Sequence, residues 1–303
     1  MTTFDLENTA SQKGKTAIVT GANTGIGYET ALFLAGKGAH VIMACRNIKK
    51  AQYAKDRIIE KQASASLEII QLDLNSLESV REFASSFYMK HKQLDYLINN
   101  AGLMIPPFMK TDDGFESQLG VNYLSHFLLT GLLLPTLENT PNSRVVSLAS
   151  IAHKRAKIDF ENLNSEKKYA RSKAYGQSKL ACLMFAYELD RRLKKSGSQV
   201  KSIAAHPGVS NTELGRYIPK ILYTILFPLV KIMTHPPQEA AKPTLFAVLH
   251  PDLKGGEYIG PTGFNEMKGK PGIVGSEPQS HEEEVAKKLW KVSEELTNIH
   301  YLS

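Results

Sequence analysis

The sequence has few of the residues that build folds held together by covalent bridges or metals. Its 303 residues include two cysteines and one tryptophan. Cys45 and Cys182 are far apart and form no C-x-x-C pair, which argues against a disulfide framework and against a zinc site. The nine histidines show no H-x-x-x-H pair, so no metal site is predicted. The polar N-terminus lacks the apolar centre of a signal peptide, which predicts a cytoplasmic protein.

The excess of basic residues is not concentrated in one place. The formal net charge is +7, but lysines and arginines are dispersed and often stand beside acids, as in ELDRR at 188–192. No basic stripe interleaved with aromatic residues is present, so a nucleic-acid partner is not predicted. Apolar residues make up 42% of the chain, enough for a large core. No repeat, low-complexity linker or charge block divides the chain, which predicts one domain over residues 1–303.

Short apolar strands alternate with longer helical patterns along the chain. Strands are predicted at Thr16–Thr20, His40–Ala44, Leu67–Leu72, Tyr96–Asn99, Arg144–Ala149, Val200–Ala205 and Glu257–Ile259. Helices are predicted near 25–37, 47–62, 76–92, 113–138, 173–195, 236–250 and 281–297, the last with Ser280 as its N-cap. This alternation predicts an α/β fold with a doubly wound parallel sheet or a closed barrel. A glycine-rich turn after the first strand favours the doubly wound sheet.

That turn lies between the first strand and the first helix. Residues 20–27 read TGANTGIG, with the glycines spaced G-x-x-x-G-x-G. Glycines at a strand-to-helix turn let backbone N–H groups approach a phosphate, and the helix N-terminus adds a partial positive charge there. A tight turn without a ligand is the other interpretation. The position between a strand and a helix favours phosphate binding.

A tyrosine and a lysine stand four residues apart at the start of a long helical pattern. Tyr175 and Lys179 therefore lie on one face of that helix. An ammonium close to a phenol favours the phenolate, so such a tyrosine can exchange a proton with an alcohol or a carbonyl. Tyr169 and Lys173 repeat the spacing, but they follow a polar run that predicts a loop. The apolar helix that follows Tyr175 favours the first pair.

Together these features resemble the short-chain dehydrogenase/reductase family over almost the whole chain. The matching motifs are T-G-x-x-x-G-I-G at 20–27, N-N-A-G at 99–102 and H-P-G-V at 206–209. The resemblance implies a Rossmann fold that binds a nicotinamide dinucleotide, with the catalytic tetrad Asn122, Ser150, Tyr175 and Lys179. Besides Tyr175 and Lys179, the residues implied to contact the cofactor are Gly21, Asn23, Thr24, Gly25, Ile26, Gly27, Arg46, Asp73, Leu74, Asn100, Ala101, Gly102, Pro207, Gly208, Val209 and Thr212.

Two serines compete for the place in the tetrad. Ser147 lies within the fifth predicted strand, whereas Ser150 follows it. Sites in open parallel sheets form beyond the strand ends, which favours Ser150. The interval from Ser150 to Tyr175 is longer than the family's commonest spacing and resembles retinol-dehydrogenase-like members. Residues 151–172 are therefore expected to form a loop that borders the substrate pocket, with His153 as a solvated loop residue.

The resemblance also implies a mechanism. Tyr175 would exchange the proton, Ser150 would hold the substrate oxygen, and Lys179 would bind the nicotinamide ribose with support from Asn122 through water. The second strand is followed by Arg46 and lacks the acid that NAD-specific folds use to bind the ribose 2′-hydroxyl. Arg46 therefore favours NADP(H) over NAD(H), and a solvated residue at a helix start is its other interpretation.

Residues 217–231 are the most apolar stretch of the chain. Their uncharged core at 221–230 is far shorter than the ~20 residues that span a bilayer. The resemblance implies a helical substrate lid at 211–235, which would suit a lipophilic substrate. A core helix and a peripheral membrane contact through 217–231 are the other interpretations. The resemblance also implies homodimer formation through the helices near 113–138 and 173–195.

The sequence thus predicts an NADP(H)-dependent oxidoreductase that interconverts an alcohol and a carbonyl on a small retinoid-like or other apolar molecule. Two alternatives stay open. One is a narrower resemblance to light-dependent protochlorophyllide reductases, which share the Tyr/Lys pair and reduce a C=C bond. The other is an NADP(H)-sensing binding protein without turnover. The complete tetrad speaks against the sensor, because a sensor needs no proton donor.

Overall fold

The backbone forms one continuous sheet of eight strands. The computed structural model describes residues 5–209 and 236–302. The strands are β1 (Thr16–Thr20), β2 (His40–Cys45), β3 (Ser66–Gln71), β4 (Tyr96–Asn99), β5 (Arg144–Leu148), β6 (Lys201–Ala205), β7 (Tyr258–Pro261) and β8 (Pro271–Ile273). Their order is β3-β2-β1-β4-β5-β6-β7-β8, with β8 antiparallel to β7 and the other neighbours parallel. The order reverses between β1 and β4, and ligands bind beyond the carboxyl ends of the strands at such a point.

Six of the longer helices connect these strands, and the seventh follows β8. They are α1 (Gly25–Gly36), α2 (Ile48–Lys61), α3 (Leu77–Lys90), α4 (Ser125–Glu138), α5 (Arg171–Ser196), α6 (Pro237–Leu249) and α7 (Glu283–Thr297). Asn47 Oδ1 accepts a hydrogen bond from Lys50 N at the start of α2, and Ser76 Oγ accepts one from Ser79 N at the start of α3. α5 is followed by Gly197 in the C-cap position, whose φ of 77° a residue with a Cβ rarely adopts.

The helices cover both faces of the sheet. Because successive strand residues point to opposite faces, Ala17 and Val19 of β1 pack with α1, α2 and α6, whereas Ile18 packs with α3, α4, α5 and α7. All three side chains are fully buried. Burial on both faces explains the nearly continuous apolar strands. The predicted α/β fold with a doubly wound parallel sheet is confirmed.

The observed elements differ from the predicted ones in two places. The seven predicted strands are present, with ends shifted by at most a few residues. β8 is not predicted, because Pro-Gly-Ile is too short to show a pattern. The helix predicted near 113–138 begins later, with a short α-helical turn at Ser117–Leu119 and a π-helical turn at Gly120–Leu124 that lead into α4.

Helix α7 is attached to the body by its tryptophan. Trp290 is 1% exposed and packs edge-on against Phe127, with ring centroids 5.0 Å apart. The guanidinium of Arg192 lies over the indole, 4.4 Å from its centroid. These contacts join α7 to α4 and α5.

The predicted N-cap of α7 is wrong. Ser280 lies before the helix in a 3₁₀ turn, Pro278–His281, where its Oγ donates to the carbonyl of Glu277. The helix begins at Glu283, with Glu282 in the N-cap position and no side-chain cap. The serine hydroxyl is engaged in its own turn and is not available to the helix.

The predicted lid at 211–235, its apolar part at 217–231 and Thr212 lie outside the described residues. Within residues 5–209 and 236–302, no helix combines the length and the apolar character needed to cross a bilayer.

Candidate active site

The glycine turn forms a cradle at the carboxyl end of β1. Gly21 and Gly25 have φ values of 69° and 56°, which favour glycine. A Cβ on Gly27 would lie 2.5 Å from the carbonyl oxygen of Gly21, so the backbone segments are in direct contact. Thr24 occupies the N-cap of α1 but makes no side-chain capping hydrogen bond. The N-terminus of α1 is thus not capped by its own side chain, which fits the binding of a phosphate.

The ends of β1 and β4 are tied together beside this cradle. Thr20 Oγ1 accepts hydrogen bonds from Asn100 N and Ala101 N, both at 2.9 Å. Asn100 Nδ2 donates to Thr20 O at 2.7 Å. The side chain of Asn100 therefore stabilises the turn from within. The structure brings the cofactor residues predicted on these two loops next to one another.

Asn122 lies in the π-helical turn and joins three segments. Its Oδ1 accepts from Leu103 N at 2.7 Å, and its Nδ2 donates to Leu103 O at 3.0 Å and to Ser178 Oγ at 2.9 Å. The wider turn of a π-helix is frequent at functional sites. It places this side chain between the N-N-A-G loop and α5. Sequence reasoning missed Ser178, although its place one residue before Lys179 is a signal.

A buried histidine links Asn122 to the end of β1. His126 Nδ1 lies 3.0 Å from the carbonyl of Asn122 and Nε2 lies 3.0 Å from Thr20 Oγ1. A carbonyl only accepts, so Nδ1 carries the hydrogen and Nε2 accepts from the threonine hydroxyl. Burial lowers the pKa of His126 to about 4, which keeps the ring neutral. The sequence analysis does not identify this residue.

Lys179 is a buried cation at the centre of the site. It is 6% exposed, and its Nζ donates to the carbonyl of Leu148 at the end of β5, at 2.8 Å. A Cβ on Gly102 would lie 3.0 Å from Asn122 Oδ1 and 3.6 Å from Lys179 Nζ. The missing side chain of Gly102 keeps the space before the ammonium open. Tyr175 lies one helical turn earlier and is half-buried.

Ser150 lies two residues beyond the end of β5, whereas Ser147 lies inside the strand. Ser150 is half-buried, and its Oγ accepts from Ala152 N at 3.2 Å at the start of a 3₁₀ turn, Ile151–Arg155. Ser147 is buried, and its Oγ has no hydrogen-bond partner among the described residues. A Cβ on Gly176 of α5 would lie 3.2 Å from Ala152 O, so the Ser150 turn packs closely on the helix that carries Tyr175.

The expectation of a solvated His153 is wrong. The residue is fully buried, and its Nδ1 lies 2.7 Å from the carbonyl of Ser150. Burial lowers the pKa of His153. The 3₁₀ turn folds its ring inward against Tyr258, at 5.5 Å between centroids. Sequence reasoning assumed an open loop, and neither a strand nor a helix pattern reveals such a turn.

The adenosine end of the predicted cofactor site lies at the ends of β2 and β3. Arg46 directly follows β2 and is exposed, with no acid beside it before α2 begins. Asp73 follows β3 and is half-buried, and its Oδ1 accepts from Asn75 N at 3.0 Å. Leu74 is buried. These residues occupy the edge of the crevice where the resemblance implies the adenosine moiety.

The H-P-G-V segment follows β6 and is described as far as Val209. His206 is fully buried, whereas Pro207, Gly208 and Val209 are half-buried. Val209 N donates to the carbonyl of Met267 at 3.1 Å. The connection between β7 and β8, which the sequence analysis does not implicate, thus supports the segment predicted to border the nicotinamide.

Both cysteines are buried in the site. Cys45 is 1% exposed beside the glycine turn, where the backbone N–H groups of Ala22 and Asn23 approach its sulfur. Burial raises the pKa of Cys45 to about 12 and raises that of Cys182 as well. Cys182 Sγ donates to the carbonyl of Asn122 at 3.2 Å. Neither thiol has the lowered pKa of a nucleophile.

At the opposite end of the sheet, His40, Glu68 and His91 bring potential metal-ligand atoms within 4.8 Å of one another. Glu68 already receives Lys90 Nζ at 2.7 Å on Oε1 and His91 Nε2 at 2.9 Å on Oε2. These contacts lower the pKa of Glu68 despite its partial burial. An ion-pair network explains the cluster without a metal.

The chain is similar to known dehydrogenases over most of its length. The sequence model described as short chain dehydrogenase matches residues 15–220. The chain is 42% identical over 297 residues to retinol dehydrogenase 13 of Homo sapiens, covering 96% of this chain and 86% of that protein. It is 42% identical over 288 residues to retinol dehydrogenase 11 of Mus musculus, covering 94% and 87%. An uncharacterized protein from Mycobacterium paratuberculosis has a TM-score of 0.82 at 37% identity, covering 98% of both chains.

Proposed function

This chain belongs to the short chain dehydrogenase family, and we propose from that premise that it is an NADP(H)-dependent oxidoreductase that interconverts an alcohol and a carbonyl. Family membership, with retinol dehydrogenases among the relatives, makes the chain an NAD(P)-dependent oxidoreductase acting on a small molecule. The preference for NADP(H), the apolar substrate and the role of each residue are parts of the proposal.

One observation carries the proposal. Gly102, Asn122 and Lys179 meet at the carboxyl edge of the sheet, where a Cβ on Gly102 would lie 3.0 Å from Asn122 Oδ1 and 3.6 Å from Lys179 Nζ. Tyr175 stands one helical turn from Lys179. The buried ammonium faces a space that a glycine keeps open. This arrangement fits a nicotinamide ribose beside the lysine and a substrate oxygen beside the phenol.

The chain's own residues would then divide the work. The bound cofactor supplies or takes up the hydride. Tyr175 would donate its phenolic proton to the substrate oxygen in reduction and take it back in oxidation, and Ser150 Oγ would hold that oxygen. Lys179 would hold the ribose of the nicotinamide beside Tyr175. Asn122 would keep Lys179 in place by tying α5 to the Leu103 backbone.

The preference for NADP(H) rests on Arg46. Its exposed guanidinium follows β2 at the edge of the crevice, and no acid is present there to bind a ribose 2′-hydroxyl. An arginine at this position suits a 2′-phosphate. Competitive titration with NADPH and NADH tests the preference, and tighter binding of NADH would reverse it.

The proposed substrate is a lipophilic alcohol or carbonyl. Support comes from the apolar residues 217–231 within the proposed lid at 211–235, and from relatives named retinol dehydrogenases. We further propose that the chain acts as one domain over 1–303 and forms a homodimer through α4 and α5. Peripheral membrane contact through 217–231 and a cytoplasmic location remain predictions.

A panel of aliphatic, aromatic and isoprenoid aldehydes tests the reaction. Loss of NADPH absorbance is the readout, and the isoprenoid and long aliphatic aldehydes are expected to give the highest kcat/KM. Preference for short polar aldehydes would contradict the proposed substrate class. Cofactor binding without turnover on any member of the panel would favour a sensor and overturn the proposed activity.

A further inference from the structure

The connection between β7 and β8 holds an acid in an unusual backbone conformation. Asn265 and Glu266 have φ values of 49° and 56°, in the left-handed region. Asparagine is often found there, whereas a glutamate with its longer side chain is not. A strained backbone conformation of this kind persists where surrounding contacts hold it in place, and such residues are often found at functional sites.

That carboxylate meets two groups from distant parts of the chain. Oε1 accepts from Lys154 Nζ at 2.7 Å, and Oε2 lies 3.1 Å from His206 Nε2. His206 is fully buried, and its Nδ1 accepts from Gly208 N at 3.2 Å, so the ring hydrogen is on Nε2, the nitrogen nearer the carboxylate. Within residues 5–209 and 236–302, neither Nε2 nor Oε2 has a hydrogen-bond partner, so the two atoms are in close polar contact without hydrogen-bond alignment.

The backbone next to Glu266 packs closely on the H-P-G-V segment, His206–Val209. A Cβ on Gly208, whose φ is 73°, would lie 2.4 Å from the carbonyl of Met267. A Cβ on Gly260 of β7 would lie 2.0 Å from His206 Nε2. Together with the hydrogen bond from Val209 N to Met267, these contacts leave the segment little freedom on this side.

Lys154, the other partner, belongs to the turn that begins at Ser150. Its carbonyl and that of His153 both accept from Gln279 Nε2, at 3.1 and 3.3 Å. His153 Nδ1 in turn lies 2.7 Å from the carbonyl of Ser150. A displacement of the Lys154 ammonium is therefore transmitted to Ser150 through a short turn in which His153 is buried.

We propose that Glu266 is a positioning residue that clamps the Ser150 turn to the His206–Val209 segment. The inference rests on the proposed function, in which Ser150 holds the substrate oxygen and this segment borders the nicotinamide. The carboxylate would act on these two segments and not directly on the substrate oxygen or the nicotinamide. It sets their separation through Lys154 on one side and His206 on the other, and thereby fixes the distance over which hydride transfer takes place.

Neutral substitutions of Glu266 test the positioning role, because an ion pair that only stabilises the fold would not change kcat when its charge is removed. Glu266→Gln keeps the size of the side chain but removes its charge, and Glu266→Asn also relieves the left-handed backbone. Because a misplacement of about 1 Å can cost ~10²-fold, we expect both variants to lose kcat by about ten-fold or more. Binding of NADPH is expected to change little, because the glycine turn that holds its phosphates is elsewhere.

Lys154 supplies a rescue test. Lys154→Arg retains a cation and is expected to retain most of kcat, whereas Lys154→Met is expected to lose kcat as Glu266→Gln does. In the double variant of Lys154→Met and Glu266→Gln, the losses are expected not to add, because both changes break one linkage. Additive losses would show two separate effects and would contradict the clamp.

The matched control is Glu284→Gln. Glu284 also pairs with a lysine at 2.7 Å, but the pair is exposed on α7 far from the tetrad in sequence. This variant is expected to leave kcat unchanged. If Glu266→Gln and Glu266→Asn fold and keep the wild-type kcat, the clamp is refuted.

Hydrogen exchange tests the clamp without activity. In Glu266→Gln, faster exchange is expected together at the amides of His153, Gly208 and Val209, but not in Glu284→Gln. If wild-type protein lacks turnover while this joint change occurs, the proposed function fails and the linkage stands. Faster exchange in only one of the two segments would overturn the linkage itself.

Discussion

Replacing Gly27 by alanine perturbs the cofactor turn most directly. A Cβ at this position would lie 2.5 Å from both Gly21 O and Asn100 Nδ2, whereas ordinary contacts begin at 3.4 Å. Neither neighbour moves freely. Gly21 O belongs to the backbone, and Asn100 Nδ2 donates to Thr20 O at 2.7 Å. The added methyl group therefore has to displace the strand-to-helix turn itself.

Two opposing terms set the size of the effect. Alanine is favoured over glycine inside a helix by ~1 kcal/mol. Overpacking costs about 1–3 kcal/mol, and Gly27→Ala violates two rigid contacts at once. We therefore expect a net loss of about 1–2 kcal/mol in the free energy of unfolding. Displacement of the turn N–H groups is expected to lower NADPH affinity at least about ten-fold, which corresponds to ~1.4 kcal/mol.

Two measurements on the same variant separate these effects. Urea unfolding of the ligand-free protein gives the stability, and the fluorescence of NADPH during titration gives the affinity. Gly275→Ala is the matched control, because a Cβ there meets nothing within 4 Å, and we expect it to change neither quantity. Wild-type NADPH affinity in Gly27→Ala would refute the phosphate-binding role of the turn, whatever happens to stability.

Three further changes test other parts of the site. Tyr175→Phe is expected to lower kcat by ~10²–10⁴-fold, whereas Tyr169→Phe is expected to leave kcat largely unchanged; equal losses would contradict the choice of Tyr175. Arg46→Ala is expected to weaken NADPH by about 1.5–3 kcal/mol, the value of a hydrogen bond to a charged group, and to spare NADH in the same titration. Contacts with His206 and Lys154 lower the pKa of Glu266 from 4.5 to about 2, so its ionised form stabilises the fold above pH 4.5 and this contribution is lost as pH falls toward 2. Urea unfolding from neutral pH to pH 3 should therefore show a shallower loss of stability in Glu266→Gln than in the wild type; identical slopes would refute this.

Period and composition predict the sheet, because each strand is buried on both faces and leaves an apolar run in the sequence. They do not predict β8, since Pro271–Ile273 pairs with β7 through its backbone and has no apolar alternation of its own. The π-helical turn at Gly120–Leu124 is also hidden, because a single wide turn leaves no period.

At the site, the motifs predict which loops converge but not the contacts between them. The burial of His153 follows from a 3₁₀ turn that local sequence does not specify. The position of Glu266 depends on a connection that folds back over β6, which is a long-range contact. Ser280 is an error of local reasoning, because a serine before a helical pattern predicts an N-cap. Its hydroxyl instead donates to the carbonyl of Glu277 in a short 3₁₀ turn.

Each half of the crevice contains one buried cysteine that can report on its local opening. Cys45 abuts the turn that precedes α1, and Cys182 contacts the π-helical turn at Asn122. Alkylation of either sulfur requires local opening, so its rate measures how often that half of the crevice unfolds. A small molecule that protects one sulfur from iodoacetamide and not the other would reveal which half it orders, without any engineered probe.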